Sequence, residues 1–108
     1  MITVREVWQL KVEFAGSAME IMQEMDDLVG PGAHGHPGWV GHAIFYQNID
    51  RPTEVVIQYP WASRESHRTL VRREKDILTA FITKYCSQGR DIAYYQAVAV
   101  DVEGELKT

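Results

Sequence analysis

Two ionisable side chains fall where the sequence pattern calls for apolar ones. His67 and Glu74 lie on the stripe of Leu70, Val71, Ile77, Leu78, Phe81, Ile82 and Tyr85, whose spacing predicts a helix face. At about 1.5 Å of rise per residue they stand about 10 Å apart along the axis. Glu6 interrupts the apolar face of a strand-like segment, and His42 shares a strand face with Val40, Ile44 and Tyr46. A histidine titrates near neutrality, so it can take up and return a proton. His67 is therefore the preferred candidate base, with His42 and Glu74 as further proton acceptors and Tyr46 and Tyr59 as donors. Each has a structural role open to it as well. His67 can bond a carbonyl or water on its helix face, His42 can be a satisfied strand histidine, and the tyrosines can be amphipathic core residues. Glu6 and Glu74 can pair with arginines such as Arg5 or Arg90. His34 and His36 sit in the glycine-rich run 30–38; two histidines without a third ligand are a weak metal signal. They read as solvated loop residues, and no metal or cofactor is expected.

The elements that must position these groups follow from periodicity. Val4 to Phe14 alternates and predicts a strand. Ser17 with Glu20 makes a capping box, and an amphipathic helix carrying Met22 and Met25 runs to Gly30-Pro31-Gly32. Trp39–Gln47 and Glu54–Tyr59 are strands joined by the turn Asn48–Pro52, an antiparallel hairpin. Pro60 ends the second of these, Trp61 stands at the corner, and Ser63 caps a long helix with a possible break near Arg72–Glu74. Gly89 follows that helix, and Ile92–Val102 is a last strand. The expected fold is α+β, a ferredoxin-like βαββαβ arrangement with a four-stranded antiparallel sheet and two helices on one face. One domain spans residues 1–103, with a frayed tail over 104–108. The other sheet face, with Val7, Ala43, Phe45, Val56, Ala93, Tyr95, Ala97 and Ala99, is too apolar to face water. A second copy of the chain is its expected cover, giving a two-fold homodimer.

Composition sets limits on function. The chain has 108 residues, a formal net charge of −4 and one cysteine, Cys86. The acidic balance without a basic run argues against nucleic acid or an anionic membrane as a partner. A lone cysteine, no long apolar run and no basic-then-apolar leader pattern point to a cytoplasmic protein.

Two stretches carry a resemblance. His36-Pro-Gly-Trp-Val-Gly resembles the entry into strand two of the antibiotic biosynthesis monooxygenases, a family of the dimeric α+β barrel superfamily. Tyr59-Pro-Trp-Ala-Ser-Arg-Glu-Ser-His resembles that family's strand-to-helix corner. The resemblance implies a pocket between the sheet and its two helices in each subunit, with Trp61 as its tryptophan. Members include cofactor-independent monooxygenases of aromatic polyketides and enzymes that degrade haem. The latter also need an asparagine on strand one and a histidine nine or ten residues beyond the tryptophan. Here Glu6 and Leu70 stand near those places, which counts against haem degradation.

Cofactor-free oxygenation of an electron-rich phenol, quinol or anthrone needs a dry shaped cavity, a base, and donors for developing oxyanions. Trp61, Trp8, Met22, Met25 and Phe81 are the expected walls, with Tyr46 and Tyr59 beside them. Two other readings use the same pocket: a cyclase, isomerase or lyase with a histidine acid/base, and a non-catalytic ligand-binding dimer.

Overall fold

The computed structural model describes residues 1–102, so the tail expected over 104–108 lies outside the described residues. The chain runs β1 (Ile2–Gln9), a 3₁₀ turn (Val12–Ser17), α1 (Ala18–His34), β2 (Ile44–Gln47), β3 (Glu54–Trp61), α2 (Arg64–Tyr85) and β4 (Asp91–Tyr95). The four strands form one antiparallel sheet in the order β2-β3-β1-β4. This is the ferredoxin-like arrangement, with the core between the sheet and the two helices. Trp8, Leu10, Ile21, Met22, Met25, Val55, Ile57, Leu78 and Phe81 form that core, and Trp8 meets Phe81 edge to face. A smaller cluster of Val4, Trp61 and Leu70 continues it.

Strand ends differ from the sequence expectation because ladders need partners. β1 stops at Gln9, opposite Glu54, because β3 begins there. The alternation beyond it is taken up by the 3₁₀ turn, which leaves Val12 exposed. That turn leads straight into α1, and Ser17 makes no side-chain cap, so the expected capping box does not form. α1 continues through Pro31 to His34, where the lost N–H falls in the final turn. β2 is short: the register Ile44↔Gln58 would next place residue 42 opposite Pro60, which has no N–H to give. An isolated bridge, Trp39↔Trp61, resumes the pairing. The ladder to β1 does continue past Pro60, as far as Ile2↔Trp61. α2 is unbroken, and Ser63 Oγ accepts from the Ser66 N–H at 3.1 Å. It ends at Tyr85 with Cys86 as its cap, ahead of Gly89. β4 stops at Tyr95, opposite Thr3, where β1 runs out. Val98, Val100 and Val102 lie outside the sheet and are exposed.

Register also corrects the outer face. Phe45 stands opposite Ile57, which is buried on the helix side, so Phe45 faces the helices. Ile44 and Tyr46 take the outer face instead and are exposed. They join Val7, Val56, Ala93 and Tyr95 there, so an apolar outer face persists with different members.

One glycine is dictated by a close approach. A Cβ on Gly38 would lie 2.3 Å from Trp61 Nε1 and 2.7 Å from Ser66 Oγ. The Trp61 ring is packed onto the Gly38 backbone, so Gly38→Ala must displace it. The expected cost is about 1–3 kcal/mol, read as a lower urea midpoint at unchanged slope.

Candidate active site

β1 brings Glu6 to the centre of the helix-facing side of the sheet, between Ile57 on β3 and Ile92 on β4. A carboxylate buried there needs donors. Its Oε1 accepts from Trp8 Nε1 at 3.0 Å and from Arg90 at 3.0 Å, and its Oε2 accepts from the Tyr59 hydroxyl at 2.5 Å. Arg90 also donates to Glu74 at 3.0 Å, so two buried carboxylates share one guanidinium. Burial acts against the Arg90 cation, but Glu6 and Glu74 together outweigh it and raise its pKa. Burial holds the Glu74 carboxyl above the usual carboxylate range, with Arg90 opposing.

His67 sits behind Tyr59, fully buried at 0% exposure. Its Nε2 lies 2.6 Å from the Tyr59 oxygen and its Nδ1 2.9 Å from the Tyr94 oxygen. Burial lowers its pKa to about 4 against Glu6, which pulls the other way, so the ring is neutral at pH 7. Burial, reinforced by Glu6, raises the Tyr59 pKa and keeps its hydroxyl protonated. These facts fix the proton positions. Tyr59 has one proton, and the carboxylate can only accept it. Nε2 therefore carries the His67 proton and donates to Tyr59, and Nδ1 accepts from Tyr94.

Beside this network lies a cavity of about 590 Å³. Glu6, Tyr59, Glu74 and Arg90 line its polar side, and Met25, Val29, Trp39, Phe45, Ile57, Trp61 and Leu70 its apolar side. Asp26, Asp27, His34 and His42 also line it. His34, Trp39 and His42 form a ring cluster, with His34 and His42 stacked 6.0 Å apart. Oε1 of Glu6 has both acceptor positions filled by protein donors. Among the described residues Oε2 takes only the Tyr59 proton, which leaves one position for a ligand hydroxyl.

The expected site residues separate accordingly. Trp61, Tyr59, Met25, Glu74 and His42 line the cavity. Trp8, Met22 and Phe81 belong to the core behind it. His67 does not line the cavity and stands behind Tyr59 and Trp61, joined to the first by a hydrogen bond and to the second by ring contact. Tyr46 stands on the opposite face of the sheet. His36 is not a solvated loop residue: it is buried, its Nδ1 accepts from the Gly38 N–H at 2.9 Å, and its Nε2 lies 2.8 Å from Thr69 Oγ1. It ties the run before β2 to α2 and packs on Trp61. Tyr94 gave no sequence signal beyond its alternation with Ile92. The double pairing of Arg90 was signalled by two carboxylates on faces that should be dry.

No family model matches the sequence, and the search of curated proteins found no match. Solved structures do match the fold. A Bordetella bronchiseptica protein, provisionally named an antibiotic biosynthesis monooxygenase, superposes with a TM-score of 0.69 at 12% identity, covering 91% of this chain and 97% of that one. A Nitrosomonas europaea protein with the same provisional name gives 0.65 at 13% identity, covering 92% and 100%. SnoaB from Streptomyces nogalater, a cofactor-independent oxygenase, gives 0.64 at 11% identity, covering 92% and 94%. Likeness at such identities shows a shared fold, that of the antibiotic biosynthesis monooxygenase structures.

Arg90 holds this site together electrostatically. Arg90→Met leaves two buried carboxylates without a cation and should cost about 3–5 kcal/mol at neutral pH. Glu74, already raised above its ordinary value, would rise further. A carboxyl with a raised folded-state pKa binds more protons folded than unfolded, so stability returns as pH falls through that pKa. The gap in urea midpoint between Arg90→Met and wild type should therefore narrow from pH 8 toward pH 5.

Proposed function

We propose that this protein is a small cofactor-independent monooxygenase-like enzyme acting on an aromatic substrate of polyketide or quinol type. The observation that carries the reading is the open acceptor position of Glu6 on the wall of a largely apolar, aromatic-lined cavity. A phenol or enol hydroxyl donates to Glu6 Oε2 while its rings lie against Trp61 and Trp39. Glu6 takes the proton as the substrate becomes an electron-rich anion. The anion passes electrons to dioxygen and forms the new C–O bond. The resulting peroxide takes a proton; the C–H bond and the O–O bond then break, and the C–H proton and the terminal hydroxide leave together as one water, leaving a carbonyl. The Tyr59 hydroxyl and the Arg90 guanidinium supply positive potential where oxyanions develop. In this reading His67 acts through Tyr59 rather than on the substrate. The fold it shares with a cofactor-independent oxygenase supports the reading.

Dithranol, an anthrone, is the test substrate. With no added metal or cofactor, the protein should raise dioxygen uptake and anthraquinone formation above the buffer rate. Glu6→Gln should lower kcat by about 10²–10⁴-fold. Binding of dithranol without enhanced dioxygen uptake would make the protein a ligand-binding module instead.

The working unit in this proposal is a homodimer through the outer sheet face, in a cytoplasmic setting. Support comes from the exposed Ile44, Tyr46 and Tyr95 on that face and from the exposed alternating Val98, Val100 and Val102 beyond β4. Buried Cys86, unpaired in the chain, fits a reducing compartment. Light scattering should give twice the chain mass, and Tyr46→Arg should shift it toward the monomer.

A further inference from the structure

The geometry points to a proton relay: Tyr94, His67 and Tyr59 connect Glu6 in the cavity to the protein surface beside α2 and β4. The inference rests on the reading of Glu6 as the group that exchanges a proton with the ligand. Its basis is an unbroken line of hydrogen bonds. Tyr94 bonds His67 Nδ1 at 2.9 Å, His67 Nε2 bonds Tyr59 at 2.6 Å, and Tyr59 bonds Glu6 Oε2 at 2.5 Å. The middle member has no access of its own to water, because His67 is 0% exposed and does not line the cavity. The inner members, Tyr59 and Glu6, do line it. The outer member, Tyr94, is only half-buried at the edge of the smaller core cluster, within reach of the charges of the exposed Arg68 and Arg64 on α2.

Proton positions in the resting chain all point inward. A proton arriving from solvent at the Tyr94 oxygen releases the Tyr94 proton to Nδ1. The Nε2 proton passes to the Tyr59 oxygen, and the Tyr59 proton passes to Glu6 Oε2. One proton has then moved from solvent to Glu6, and every other member is as protonated as before. The bonds of the chain now point outward, so a proton on Glu6 can leave by the same route. A histidine suits the middle because its two ring nitrogens let a proton enter on one side and leave on the other. A site that must both remove and return protons while excluding water needs such a path, and no covalent change accompanies it.

The relay is tested on the protein without substrate. Long-range proton–nitrogen correlation spectra of histidine-labelled protein, assigned with His67→Gln, should show neutral His67 with its proton on Nε2. In deuterated water that proton exchanges by entry at Nδ1 and exit through Tyr59. Tyr94→Phe and Tyr59→Phe, which keep the rings, should each slow its exchange by about tenfold or more. A purely structural role predicts unchanged or faster exchange, because loosened packing opens the site. Unchanged or faster exchange in both variants, or a proton on Nδ1 in wild type, would overturn the relay. If dithranol is not turned over, the oxygenase reading fails while the exchange measurement still decides the relay.

Discussion

A carboxylate at the centre of a sheet face, Glu6 on β1, is the constraint on which this structure turns. Among the described residues three donors meet it: Trp8 from its own strand, Tyr59 from β3 and Arg90 from the segment before β4. The single indole N–H of Trp8 is satisfied by that bond, but Arg90 and Tyr59 have further hydrogen-bonding capacity in buried or half-buried positions, so the requirement spreads. Arg90 draws in Glu74 from the middle of α2. Tyr59 draws in His67 from the first half of the same helix, and His67 draws in Tyr94. The long helix is thereby fixed to the sheet at two polar points as well as by its apolar stripe. Replacing any one member leaves another buried and unsatisfied, which is costlier than losing an exposed bond.

The same constraint shapes the cavity. Because Arg90, Trp8 and Tyr59 leave one acceptor position on Glu6, the polar side of the cavity presents an acceptor and guanidinium edges rather than a free cation. The remaining walls are aromatic and apolar, with Trp61 held at 1% exposure against Gly38 and His36. That combination suits a flat ligand carrying a hydroxyl. It also explains why His67, the most chemically suggestive residue of the sequence, lies one hydrogen bond away from the cavity.

Much of the fold was legible in the residues. The order of elements, the unusual polarity of Glu6, His67 and Glu74, and the corner at Pro60–Trp61 all come from local pattern. What was hidden depended on partners distant in the chain. Strand alternation continues in Leu10–Phe14 and in Gln96–Val102, yet among the described residues neither joins a strand ladder, and the first is held by the single bridge Leu10↔Cys86. Phe45 and Tyr46 fall on the sides opposite to the sequence expectation because alternation separates two faces without saying which is inner; the pairing of Phe45 with buried Ile57 decides it. His36 read as a loop residue because nothing local shows Thr69 waiting on α2. The site was legible as a set of unusual residues, whereas their order along a line of hydrogen bonds required the register of three strands.

The central claim is that Glu6 is where a ligand's hydroxyl meets the protein. A crystal structure of the protein soaked with dithranol tests it most directly. The account predicts the ligand's rings between Trp61 and Trp39, with a hydroxyl oxygen at hydrogen-bond distance from Glu6 Oε2. A ligand seated elsewhere, or bound in the cavity with its oxygens turned to Asp26 and Asp27 and away from Glu6, would contradict it.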